Sequence, residues 1–163
     1  MTETNSKMFA NCVVRFALDS DESFSIVPYQ YLDFGNDNLI MAVFELVSRD
    51  LSRKAYDCIY EDAFVALRDF LANAETAKIG HYLEFNSEEE IVVTTFTRQE
   101  STIRVSGRVP NDGYLEAMYK DSQSILERQF HTQAVFYCNF PLKNIPVVVD
   151  DMTRIIQVIE DSK

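Results

Sequence analysis

Hydrophobic residues recur at two different spacings along this 163-residue chain, and the order of those spacings restricts the fold. Alternating or continuous apolar runs are typical of strands, and four such runs follow one another in the first part of the chain. They predict strands over Met8–Leu18, Phe24–Leu32, Asn38–Val47 and Leu51–Tyr60. In the fourth run, Tyr56, Cys58 and Tyr60 fall on one face and Arg53 and Asp57 on the other, which predicts a half-buried strand.

The spacing then changes to that of a helix. Apolar residues recur one helical turn apart from about Glu61 to Ala77, with two acidic residues in the first turn. Strand spacing returns at Tyr82–Phe85, Glu90–Arg98, Ser101–Val109 and His131–Phe140, and Gln99–Glu100 forms a hairpin turn. A final helix is expected to be capped by Asp150 or Asp151 and to bury Met152, Ile155, Ile156 and Ile159.

Strands followed by a helix, twice over, predict an α+β fold with a mainly antiparallel β-sheet and about two to three helices. The segment Asp112–Gln129 fits a helical stripe and a loop nearly equally well. No Pro/Gly/Ser-rich linker interrupts the chain, so we expect a disordered polar tail over residues 1–7 and a single domain over residues 8–163.

Charge restricts the partners. The chain carries 26 Asp and Glu against 15 Lys and Arg, a net charge of −11, and this balance argues against direct binding of nucleic acid. The negative electrostatic field that this charge creates attracts a basic protein partner and speeds the encounter with it. Between Glu61 and Glu90 there are eight acids and two bases. We therefore expect the partner-binding face at Glu84, Glu88, Glu89 and Glu90, with Glu61 and Asp62 nearby.

Signatures of catalysis are scarce, and no catalytic, metal-binding or cofactor-binding residue is predicted. The four glycines form no phosphate-binding loop, and neither His81 nor His131 lies in a recognisable catalytic motif. Consecutive residues in a turn point in different directions, so the run Glu88–Glu90 does not predict a catalytic carboxylate pair. Cys12, Cys58 and Cys138 are spaced for neither a disulfide framework nor a zinc site, which favours free buried thiols.

The chain is expected in the cytoplasm, because its first residues contain no signal-peptide core and no apolar run is long enough for a membrane span. Its aromatic residues form a second feature, since tyrosine is enriched at protein interfaces. About half of them are expected in the core and the others on a protein-binding surface rimmed by acids. The residues considered are Phe24, Tyr29, Tyr31, Phe34, Tyr56, Tyr60, Phe136 and Tyr137.

Three stretches carry a family resemblance: the strand-to-helix step Tyr56–Leu67, the acidic strand Leu83–Glu88, and the ending Val147–Ile159. In their order they resemble the WapI-like immunity proteins of bacterial contact-dependent and other polymorphic toxin systems. The resemblance implies a non-catalytic protein that neutralises a cognate toxin, often a basic nuclease, by occluding its active site. Such a protein is expected to act as a monomer or weak homodimer.

Two other classes of protein remain open. An acidic adaptor or secretion chaperone would form a stable homodimer with an exposed apolar groove. A small enzyme would place a deep polar pocket around His81 or His131. A nucleic-acid mimic that inhibits a nuclease is a variant of the immunity protein, and it would require two regular rows of carboxylates.

Overall fold

The computed structural model describes residues 5–19, 22–48, 51–110 and 133–163. In these residues, two antiparallel four-stranded sheets are each followed by a helix, which confirms the predicted α+β fold. The elements in chain order are α1 (Asn5–Met8), β1 (Val14–Asp19), β2 (Glu22–Leu32), β3 (Leu39–Ser48), β4 (Leu51–Tyr60), α2 (Glu61–Ala72), β5 (Tyr82–Asn86), β6 (Val93–Arg98), β7 (Thr102–Pro110), β8 (Gln133–Pro141), a 3₁₀ turn (Leu142–Asn144) and α3 (Ile145–Ser162).

Each sheet is a meander, with its strands in chain order: β1–β4 form sheet A, and β5–β8 form sheet B. Short turns between consecutive strands favour this arrangement, since antiparallel neighbours need only a short connection. Gln99 donates its N–H to the carbonyl of Thr102 at 2.9 Å, which confirms the hairpin predicted between β6 and β7. The segment Asp112–Gln129, together with His131, lies outside the described residues.

The two sheets pack against each other through phenylalanines. Phe16 of β1 lies 5.3 Å from Phe96 of β6 and 5.4 Å from Phe140 of β8, measured between ring centroids. Phe24 of β2 stacks on Phe136 of β8 at 5.3 Å. Because strand side chains alternate between faces, these contacts define the inner face of each sheet and leave the intervening residues on the outer faces.

The two long helices pack against each other and against the sheets. Helix α2 buries Phe64, Leu67 and Leu71, and α3 buries Ile145, Val148, Met152, Ile155 and Ile159. This spacing is that of an amphipathic helix whose apolar stripe faces a core.

The first long helix begins at Glu61 as predicted, but its predicted end and the predicted start of the last helix were wrong. The helix predicted to reach Ala77 ends at Ala72, because the side chain of Asn73 donates to the carbonyl of Asp69 at 2.8 Å and the chain then forms turns. Asparagine terminates helices in this way by competing for backbone groups. The last helix begins at Ile145 and not at Asp150 or Asp151, since Pro146 lies in the first turn, where no backbone N–H donor is needed.

Two strands begin later than predicted. Residues Asn5–Met8 form a helical turn, and Asn11 has a φ of 64°, so β1 begins at Val14 instead of Met8. Glu90 has a φ of 53°, so β6 begins at Val93. A left-handed residue cannot continue an extended strand, which explains both differences.

Candidate partner-binding surface

An aspartate lies on the inner face of sheet A. Asp57 of β4 is only 5% exposed and lies between the buried residues Ala55 and Ile59. The prediction of a half-buried strand was correct, but the side occupied by the tyrosines is the outer one: Tyr56 and Tyr60 are 43% and 40% exposed. The inward position of Asp57 is possible because its carboxylate is hydrogen-bonded, as a buried charge requires.

The Asp57 carboxylate is hydrogen-bonded to the turn that contains Glu88, Glu89 and Glu90. Its Oδ1 accepts from the N–H of Cys58 at 2.7 Å, and its Oδ2 accepts from the N–H of Glu89 at 3.3 Å. Burial raises the pKa of Asp57, while hydrogen bonds from the Ser87 side chain and from backbone groups including that of Ile91 oppose the rise. A carboxylate on β4 therefore organises a loop 32 residues further along the chain.

We call residues Ser87–Glu90 the acidic loop. Ser87 donates its N–H to the carbonyl of Val92, and its Oγ accepts from the N–H of Val92, both at 2.9 Å. Glu88 donates its N–H to the carbonyl of Cys58 at 2.7 Å. Since β4 is the edge strand of sheet A, this bond attaches the acidic loop to a strand edge that has no neighbouring strand within its sheet.

The surroundings of Tyr60 are acidic. The Tyr60 hydroxyl donates to Oε1 of Glu88 at 3.3 Å. The charge of Glu88 is the main cause of a raised pKa at Glu89. Partial desolvation and the charges of Glu88, of Asp37 in the β2–β3 turn and of Glu89 raise the pKa of Tyr60.

The other predicted site residues are arranged differently. Glu90 is exposed in the acidic loop, Asp62 is exposed in the first turn of α2, and Glu84 is exposed on the outer face of sheet B. Glu61 instead binds within the molecule: it accepts from the Tyr31 hydroxyl at 2.8 Å and pairs with Lys163 at 2.9 Å. These hydrogen bonds outweigh partial desolvation and hold the pKa of Glu61 below its usual value.

No basic side chain neutralises the acidic loop among the described residues. The ion pairs within residues 5–19, 22–48, 51–110 and 133–163 are Lys54–Glu45, Arg68–Asp69, Arg154–Asp151, Lys163–Glu61 and Lys163–Glu160. Within the part of the chain that the structure describes, no ion pair includes Glu88 or Glu89.

An apolar surface adjoins the acidic loop on the outer face of sheet A. Tyr56 lies beside Val43 in the strand register and contacts the ring of Tyr29 at 6.4 Å between centroids. Cys58 lies beside Met41, with 3.0 Å between their sulfur atoms. We call this surface the tyrosine face, and define it as Val27, Tyr29, Met41, Val43, Tyr56, Cys58 and Tyr60.

The tyrosine face agrees with the expected surface of aromatic residues rimmed by acids. The other aromatic residues considered for it are placed elsewhere: Phe24 and Phe136 pack in the core, and Tyr31 binds Glu61. Tyr137 is 68% exposed, but it lies on the outer face of sheet B beneath the guanidinium of Arg104. Sequence reasoning missed Asp37 and the structural role of Asp57, because both act through contacts between segments distant along the chain.

The structure gives His81 a packing contact. Its side chain is exposed and its ring lies 5.3 Å from that of Phe70. Within the part of the chain that the structure describes, no three His, Cys, Asp or Glu side chains are grouped closely enough to hold a metal ion. No helix among the same residues combines the length and apolar character needed to cross a membrane. No protein-family model, curated protein or solved structure matches the chain.

Proposed function

We propose that the protein is a non-catalytic binding protein of the immunity type, which acts in the cytoplasm by holding a basic toxin domain on its acidic loop. The observation that carries the proposal is the fixed acidic loop. Backbone hydrogen bonds to Asp57 and Cys58 hold the consecutive residues Glu88 and Glu89 in place, the charge of Glu88 raises the pKa of Glu89, and no ion pair of the described residues includes either carboxylate. A cationic partner relieves this repulsion when it binds.

The loop is suited to binding because it is fixed before the partner arrives. Asp57 and the carbonyl of Cys58 hold its backbone, and Tyr60 holds the carboxylate of Glu88. A preorganised surface loses less conformational entropy on association than a mobile one. Carboxylates in fixed positions can then occupy the place of substrate phosphates in a basic active site, while long-range attraction speeds the encounter.

The test is parallel affinity capture from the source cells with three baits: the unchanged protein, Glu88→Lys/Glu89→Lys, and the control Glu75→Lys/Glu100→Lys. The control changes net charge equally at two exposed positions outside the acidic loop. We expect one basic toxin domain to be retained by the unchanged protein and the control, to be lost with the loop variant, and to be released between about 0.2 and 1 M salt.

The captured domain must then be inhibited when the purified protein is added to it, and the loop variant must fail to inhibit. Equal retention of the same partner by all three baits would contradict the assignment of the acidic loop. A partner that is retained and released as expected but keeps its full activity would contradict the immunity function.

A further inference from the structure

We propose that the tyrosine face and the acidic loop form one interface, with the tyrosine face as its apolar centre and the acidic loop as its rim. The partner segment that binds there is amphipathic, with arginine beside apolar side chains. This inference rests on the proposed function, because it names the chemistry of the partner at the same site. It predicts that a purely basic surface binds weakly and that apolar contacts decide affinity.

The two surfaces are continuous in the structure. Tyr60 belongs to both, since its ring lies on the tyrosine face while its hydroxyl donates to Glu88 at 3.3 Å. Cys58 joins them as well: its side chain lies beside Met41, and its carbonyl accepts the N–H of Glu88. A partner that reaches the carboxylates of the acidic loop therefore also covers this end of sheet A.

The composition of the tyrosine face is that of an interface centre. It contains three tyrosines, a methionine and two valines, and its far end is closed by the ion pair of Glu45 with Lys54, 3.5 Å apart. Tyrosine and methionine are enriched in interface cores, whereas charged residues are found at the rim. Tyr56 and Tyr60 present large apolar rings that become buried when a partner covers them.

Charge decides the kind of occupant. A guanidinium can lie over a tyrosine ring and pair with a carboxylate at the same time, because it is planar and only weakly hydrated. The ring of Tyr60 and the Glu88 carboxylate that is hydrogen-bonded to its hydroxyl offer this combination, and Glu89 is the next residue in the acidic loop. An acidic segment would be repelled there, and a neutral apolar segment would desolvate the two glutamates without a counter-charge.

The experiment uses two labelled peptides of equal length and equal arginine content. In one, leucine alternates with arginine, and in the other serine takes the place of leucine. Binding of each to the full protein is measured by fluorescence anisotropy over a range of salt concentrations. We expect the leucine peptide to bind at least about tenfold more tightly, and to keep measurable binding at about 0.5 M salt, where exposed ion pairs are screened.

Variants separate this inference from the proposed function. Tyr56→Ala should remove most of the advantage of the leucine peptide, while Tyr137→Ala, which changes a more exposed tyrosine on sheet B, should leave it intact. Equal affinity for the two peptides, or equal effects of the two tyrosine variants, would overturn the apolar centre while leaving the charge-led function standing. If Glu88→Lys/Glu89→Lys changes the binding of neither peptide, the proposed function itself fails.

Discussion

Replacement of Asp57 by alanine should release the acidic loop while both sheets remain folded. The substitution removes the acceptor for the N–H groups of Cys58 and Glu89, at 2.7 and 3.3 Å, and the interaction with the N–H of Ile91. An unsatisfied buried donor costs about 1–3 kcal/mol. Glu89 is exposed, so water can hydrogen-bond to its free N–H in the variant. Ile91 is buried, so its N–H would be left without a partner.

We therefore expect Asp57→Ala to lower the free energy of unfolding by about 2 kcal/mol, the cost of roughly one donor left without a partner. Urea denaturation measures this change. Amide hydrogen exchange should show faster exchange at Glu88 and Glu89 and unchanged protection in the inner strands β2, β3 and β7. The conservative variant Asp57→Asn, which keeps one acceptor oxygen, should lose less stability than Asp57→Ala.

The stability lost in Asp57→Ala should depend on pH in a definite direction. Burial raises the pKa of Asp57 in the folded protein above that of the unfolded chain, so its stabilising contribution is fully present below the unfolded pKa and falls as pH rises through the folded pKa. The difference in stability between the unchanged protein and Asp57→Ala should thus be larger at about pH 4 than at pH 7. Unchanged exchange at Glu88 and Glu89, or a difference that grows with pH, would refute this reasoning.

Three further outcomes follow from other residues. Arg98→Met should lower the free energy of unfolding by about 2 kcal/mol, because the buried guanidinium donates to the carbonyl of Ala74 at 2.6 Å and to that of Glu100 in the β6–β7 hairpin. An unchanged free energy of unfolding would show that these two hydrogen bonds do not stabilise the fold. Gly107→Ala should lower the melting temperature and cost about 1–3 kcal/mol or more, since a Cβ there would clash with the backbone oxygen of Val93; an unchanged melting temperature would disprove the close approach. Desolvation and the charges of Asp57, Glu88 and Glu89 raise the pKa of Cys58 to about 11, so in a variant with the other cysteines replaced by serine, its reaction with a disulfide reagent should accelerate about tenfold per pH unit below that value. Glu88→Gln/Glu89→Gln should speed the reaction at fixed pH, and an unchanged rate would show that these charges do not act on the thiol.

Periodicity was sufficient to predict the order of strands and helices, because alternation and helical spacing depend on each local segment. It was not sufficient to locate the ends. Asn73 ends α2 through one side-chain hydrogen bond, and Pro146 lies in the first turn of α3, which begins before the predicted caps Asp150 and Asp151. Both effects depend on the position a residue takes within a turn of helix, which hydrophobic spacing does not report.

The candidate site was predictable in part for a similar reason. The density of charge pointed to Glu88 and Glu89, but the inward position of Asp57 depends on donors from a loop 32 residues away. The effect of Asp37 on the pKa of Tyr60 likewise depends on the folding of the β2–β3 turn. Glu61 was included because it belongs to the acid-rich stretch between residues 61 and 90, yet its carboxylate pairs with Lys163, 102 residues along the chain.

The most direct test of the charge-led account is the affinity for the captured basic partner, measured against salt concentration for the unchanged protein and for Glu88→Gln/Glu89→Gln. The account predicts that the variant binds more weakly at low salt and that its affinity falls less steeply as salt is added, because two screened interactions are gone. Equal affinities and equal salt dependence for the two proteins would contradict it.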